Sequence, residues 1–399
     1  MTVEFISAIN VNESNELNRI AKPEIDPAFF RRYVNALEDA AFDYTLVPYV
    51  SSFHDPFGIA NAIVQRSERI KPIVALRPNT IYPTVAAKAL ATLDQFGRTD
   101  DGHGRAVVHF ISGGNDREQA REGDFTTKDE RYRRTAEYID ILRKVWTSEA
   151  PFDHEGEFYR FQDFFSAVKP VGDSIPISVG GSSAEAYQVG GSRGDIFGLW
   201  GEPLADTKDQ IDRIRAEAVA AGRRDSPRIW VTFRPIIAAT EELAWEKAYG
   251  ILGALQGGTV FEKSFRIRAE GSVPQNVGSQ RLLNIASRKD VHDRALWTPT
   301  ASATGALGAS TALVGTPETV AAAILDYVDL GADLVSIRGY DNLDDLIDYG
   351  RYVLPLVRQE FAHREVTGKR GNLQSDHLGA LSPDFDLASI APTFERTPA

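Results

Sequence analysis

The feature that most restricts the fold of this chain is a repeated alternation. Eight short apolar, β-prone runs are separated by longer stretches, most of them with helical periodicity. The runs are EFISAI, YTLVPY, PIVALR, AVVHFIS, PISVG, DIFGLW, RIWVTFRPII and DLVSIR, and the helical stretches include PAFFRRYVNALEDAA, TVAAKALATLDQF and ADTKDQIDRIRAEAVAAG, the last stopping at Gly222. Strands apolar on both faces belong in a parallel sheet covered by helices, and eight of them suffice to close it. The expected fold is therefore α/β, a (β/α)₈ TIM barrel over residues 1–365, rather than an open doubly wound sheet. Two segments are too long for plain connections. Residues 149–175 are aromatic-rich and suggest a hairpin, whereas residues 255–315 show little periodicity and much Gly, Ser and Thr, as a lid or binding loop does. A polar, Pro-rich tail covers 366–399.

Composition narrows the partners. With 44 basic and 56 acidic residues the chain carries a net charge of −12, which argues against nucleic acid or an anionic membrane as its main partner. Without cysteine it has no disulfide, thiolate nucleophile or Cys-ligated metal. No apolar run reaches the roughly 18 residues of a membrane span, and the N-terminus lacks a signal-peptide pattern, so a cytoplasmic location is expected. The histidines are scattered, with no metal-ligand spacing, and there is no nucleophile elbow or P-loop. A chain with neither metal, thiol nor evident acid–base pair should borrow its chemistry from a cofactor.

On a barrel the functional groups stand where strands end. Gly180, Gly181, Ser182 and Ser183 follow the fifth strand and lead into a helix, which suits either a phosphate or a plain serine-capped turn. Trp200, with Phe197, ends the sixth strand and offers a flat ring to a ligand or to the core. Arg234 interrupts an apolar strand and needs an anionic partner, either a structural carboxylate or a ligand. Arg77 ends the third strand, His54 follows the second, and His109 sits within the fourth, where a histidine is more often core than catalyst.

The segments VALRPNTIYPTVAAKALATLDQF, DERYRRTAEYIDILRKVW, ISVGGSSAEAYQVGGSRGDIFGLWGEP, TALVGTPETVA and SIRGY together resemble the bacterial-luciferase-like flavin monooxygenases, in particular the alkanesulfonate monooxygenase branch, over most of residues 30–360. The resemblance implies a two-component enzyme that takes reduced FMN from a separate NAD(P)H:flavin reductase. With O₂ it would oxygenate and cleave a small organic substrate at a C–S, C–N or C–halogen bond, with sulfonates and sulfones foremost. It places the flavin phosphate at Ser182 and Ser183 with Tyr132 nearby, and Trp200 and Tyr340 at the active site. Arg234 falls at a position that binds substrate anions, and 255–300 becomes a mobile lid. His109, His54 and Tyr340 are then candidates for proton handling beside the flavin, with Arg77 at the cofactor. A homodimer or homotetramer is implied. The same barrel also serves F420-dependent oxidoreductases, which keeps that cofactor, and a non-catalytic flavin-binding protein, as alternatives. Departures from the sulfonate branch are Phe53 for a cysteine, Ile236 for a histidine, Asn10 or Asn12 for a histidine, His109 for an asparagine, and Ala306 or Leu307 near an arginine position. They make the expected pocket less cationic and more apolar.

Overall fold

The protein is described from a computed structural model, which covers residues 2–17, 24–112, 115–256, 274–306, 308 and 310–368. Eight parallel strands close on themselves as expected. In chain order they are Glu4–Ala8, Tyr44–Val47, Lys71–Leu76, Val107–Phe110, Ile177–Gly180, Ile196–Trp200, Arg228–Ile237 and Ala332–Ile337. Each pairs with its neighbour in the sequence, and the eighth returns to the first with Phe5 opposite Val335.

The helices begin where the sequence provides a cap. Asp26 and Asp55 accept hydrogen bonds from the first turns of Pro27–Asp39 and Pro56–Val64, and Thr316 does so for Pro317–Leu330. In each the cap is followed by a proline whose missing N–H costs nothing there. Thr127 and Glu130 form a reciprocal capping box at the head of Lys128–Thr147. The helix Leu204–Ala220 ends just before Gly222, which has φ of +74°. After the eighth strand, Asn342–Asp348 passes through a π-helical turn, Tyr349–Val353, into Leu354–Thr367. Pro355 stands where the α-helical bond to Arg351 would form, and the wider turn absorbs that loss. No described helix is long and apolar enough to cross a membrane.

The aromatic-rich stretch contains an antiparallel hairpin, Phe152–Glu155 with Arg160–Phe164. The stretch after the seventh strand corrects the expectation of little periodicity. It holds an amphipathic helix, Val277–Arg288, a short antiparallel pair, Val291–His292 with Leu296–Trp297, and a strand, Ala312–Gly315, that adds in parallel to the upper part of the seventh barrel strand. Its described serines and threonines are mostly inside: Ser279, Thr300 and Thr311 are buried and donate to the carbonyls of Ala306, Ser310 and Gly201. Buried hydroxyls satisfied by backbone look like loop residues in a sequence. Residues 257–273, the rest of the expected lid, and the tail from 369 onward lie outside the described residues.

Inside the barrel the layers differ in size. Ile6, Tyr44, Ile73, Val107, Ile196, Trp230 and Leu334 pack together as a buried apolar plug. Two residues on, the same inward-facing rows carry Ala8, Leu46, Ala75, His109, Gly198, Thr232 and Ser336. The plug is buried, whereas Ala8, Leu46, His109, Gly180, Gly198 and Thr232 each retain partial exposure. The carboxyl end of the barrel is thus a hollow that solvent reaches.

The fifth and sixth strands are held together by a double glycine. A Cβ at Gly190 would lie 2.2 Å from the Phe197 ring, and one at Gly191 would lie 2.5 Å from Glu217 Cβ and 2.9 Å from the Ile214 carbonyl oxygen. These absences let the helix Ala184–Arg193 seat against the sheet and the next helix at once. Gly190→Ala should cost about 1–3 kcal/mol of stability through overpacking, measured as a lower urea midpoint at unchanged slope. A wild-type midpoint would show that the helix can slide aside.

Candidate active site

The hollow is bordered by strand-end side chains whose charges are largely engaged. On one side is the turn after the fifth strand. Gly181 has φ of +138°, and a Cβ there would stand 2.8 Å from both the Tyr132 hydroxyl and Ala186 Cβ. Ser183 caps Ala184–Arg193 by accepting from the Ala186 amide. Tyr132, on Lys128–Thr147, is buried with its hydroxyl against this turn. Burial pushes it up to about 12, so it remains a donor at neutral pH. Its helix is held by Arg131, which donates from Nε to the Ser112 carbonyl at 3.0 Å and from Nη2 to Asp116 at 2.8 Å. A helix N-terminus, two serines and a phenol therefore meet in a cradle around Gly181, where the Tyr132 hydroxyl stands in the space a side chain would need.

His109 stands at the floor of the hollow. Its Nδ1 is 2.9 Å from Ser178 Oγ, its ring lies 5.2 Å from that of Trp230, and a Cβ at Gly180 would approach it to 3.0 Å. Burial lowers its pKa to about 4, so the imidazole is neutral at physiological pH and can donate from one nitrogen while accepting at the other. Trp200 lies at the rim, partly exposed, under the helix Val277–Arg288. Gly278 makes that contact, since a Cβ there would come within 2.9 Å of the indole.

Glu202, two residues on, is buried and receives a bidentate pair from Arg281 of the same helix at 2.8 and 2.5 Å. Its carbonyl accepts from the Tyr327 hydroxyl, and the Gly201 carbonyl accepts from Thr311. The sequence Leu-Trp-Gly-Glu-Pro is thus a latch that ties the insertion to the sixth strand, with Trp200 beneath it.

The remaining expected residues separate. Arg77 is inward-facing but spends its guanidinium on Glu118 at 3.1 Å and Glu122 at 3.0 Å, and lies over Tyr49, leaving only Nε without a partner. As a cofactor ligand it has little left to give. His54 sits in the loop before the cap Asp55, half-buried, and no described hydrogen bond or ion pair joins it to His109 or Tyr340. Of the two partners open to Arg234, the structure supplies the carboxylate. Its Nη1 pairs with Glu16, its Nη2 donates to the Gly339 carbonyl at 2.8 Å, and its guanidinium lies 3.6 Å from the centre of the Tyr340 ring. The Tyr340 hydroxyl is buried and makes no hydrogen bond of ordinary geometry among the described residues.

Sequence reasoning overlooked Glu16 and Arg338. Glu16 also accepts from Arg338 at 3.3 Å, although the two are 322 positions apart. Burial opposes ionisation of Glu16, but Arg234 and Arg338 outweigh it and hold the carboxyl below its usual range. Arg338 could have been found by alternation, because it continues the inward-facing row of Leu334 and Ser336 one residue past the end of the last strand.

Among known proteins, the sequence profile described as luciferase-like monooxygenase matches residues 5–334. Riboflavin lyase, RcaE, solved with modified FMN and riboflavin, is similar in structure at 20% identity and a TM-score of 0.69, with 90% of this chain and 92% of that one covered. The EDTA monooxygenase EmoA from Chelativorans sp. BNC1 aligns at 19% identity and a TM-score of 0.69, covering 90% and 94%. An F420-dependent secondary alcohol dehydrogenase aligns at 17% identity and 0.62, covering 90% and 100%.

Two outcomes follow from this geometry. Arg281→Met should lower stability by roughly 3 kcal/mol by leaving the Glu202 carboxylate buried and unpaired. Adding Glu202→Leu should restore much of the loss in a denaturant melt. For His109, the unfolded chain takes up a proton below about 6.5, which the native state refuses until about 4. Protons therefore favour unfolding in that window, and stability should fall as pH drops from 6.5 to 4, by at most about 3 kcal/mol. His109→Gln should remove this component, so parallel stability–pH curves for wild type and variant would contradict it.

Proposed function

The chain belongs to the luciferase-like monooxygenase family, and we propose that it is a reduced-FMN-dependent monooxygenase. In this reading it uses O₂ to oxygenate and cleave a small organic substrate at a C–S, C–N or C–halogen bond, organosulfur compounds foremost. Reduced flavin would come from a separate NAD(P)H:flavin reductase. The observation that carries the reading is the cradle of Gly181, Ser183 and Tyr132 opening onto a solvent-reached hollow above an apolar plug. The groups fit a flavin phosphate, with amide donors at a helix N-terminus, serine hydroxyls and a protonated phenol. The likeness to riboflavin lyase and EDTA monooxygenase supports the same reading.

Reduced flavin, when bound, supplies the electrons with which O₂ is activated. The chain's own residues do the rest. Ser182, Ser183 and Tyr132 anchor the phosphate at the rim. Gly180 and Gly198 let the His109 ring lie close against the neighbouring strands, and its neutral imidazole, oriented by Ser178, can hold or pass one proton at Nε2. Trp200 would offer its indole to the bound ring, and the latched helix over it would keep water from that side.

An anaerobic titration followed by tryptophan fluorescence tests this, with reduced FMN beside oxidised FMN and reduced F420. Reduced FMN should bind best, and Gly181→Ala should weaken it by roughly tenfold or more through loss of the phosphate contacts. Preference for F420, or equal weak binding of all three, would overturn the proposal. Reductase-coupled turnover separates an enzyme from a flavin-binding protein.

A further inference from the structure

At the ends of the seventh and eighth strands, two guanidiniums share one carboxylate. Arg234 is spent: its side chain is only 3% exposed, both Nη atoms are engaged by Glu16 and the Gly339 carbonyl, and Tyr340 covers its face. Arg338 is not. Among the described residues its one side-chain hydrogen bond runs from Nη2 to Glu16 Oε1 at 3.3 Å, and 37% of the side chain remains open to solvent. Its Nε and Nη1 have no partner among the described residues. Asp345, on the next helix, does not neutralise it, being taken up by Lys247 at 2.9 Å and by the backbone amides of Tyr340 and Asp341. Among the described residues the corner therefore keeps one uncompensated positive charge, on an inward-facing residue at the mouth of the hollow.

We propose that Arg338, braced by Glu16 against Arg234, receives an anionic oxygen group of the substrate, a carboxylate or a sulfonate. A guanidinium with two free N–H directions suits a bidentate oxyanion. Glu16 fixes its position and at the same time removes Arg234 from competition, so the anion is selected by Arg338. This deepens the monooxygenase reading, on which it rests for calling the ligand a substrate, and it replaces the less cationic pocket expected from sequence.

The test is a calorimetric titration of the full chain in chloride-free buffer with methanesulfonate, benzoate and their uncharged counterparts dimethyl sulfone and benzamide. At least one anion should bind more tightly than its neutral counterpart, and the stronger of the two identifies sulfonate or carboxylate as the group. Arg338→Gln should weaken the anion by roughly tenfold or more while leaving the neutral compounds and reduced FMN unaffected. Arg338→Lys should recover part of the affinity. Unchanged anion affinity in Arg338→Gln, or anions binding no better than neutral compounds in wild type, overturns the proposal. Loss of reduced-FMN preference in wild type would instead count against the monooxygenase reading alone.

Discussion

The structure depends on a change of side-chain size between two layers of the barrel interior. Below, seven large apolar residues meet at the axis and make the barrel a solid object. Two residues further on, the same rows carry alanine, glycine, serine, threonine, one leucine and one histidine. Smaller side chains at all of these positions but His109 open the interior without loosening the strands, because the hydrogen-bonded ladders continue past the plug. The plug also sets the electrostatics above it: an apolar floor makes protonation of His109 costly and so fixes its neutral form.

Around that hollow, charge is allocated with little left over. Arg77 is divided between Glu118 and Glu122, Arg281 between the two oxygens of Glu202, and Arg234 between Glu16 and a carbonyl. Each pair joins elements distant in sequence at the same rim. Buried pairs of this kind add little net stability, but removing either partner is costly. They hold the loops in one arrangement, and this makes the surplus on Arg338 conspicuous.

The barrel was legible because strands buried on both faces are written as unbroken apolar runs, and all eight runs lie on strands of the closed barrel. The turn at Gly180–Ser183 was legible for a similar reason: a strand, two glycines and a capping serine form a local pattern. What escaped was non-local or disguised. Nothing near Arg234 in the chain announces Glu16, 218 positions earlier. The helix Val277–Arg288 was hidden among serines and threonines of the insertion, several of which turn inward to bond carbonyls. Trp200 read as an aromatic at a strand end, but its cover by a glycine of that helix is visible only in three dimensions.

The closing seam of the barrel has a consequence for how the molecule comes into being. Phe5 pairs with Val335, and Arg228 reaches Glu4, so the first strand finds its second neighbour only when nearly the whole barrel has been synthesised. During translation the nascent sheet carries a bare edge of apolar backbone, the kind of surface that invites association between chains. The corner formed by Glu16, Arg234 and Arg338 straddles the same seam. That corner is complete only once the final strand is in place, and a truncated product lacking that strand would keep the turn at Gly180–Ser183 without it.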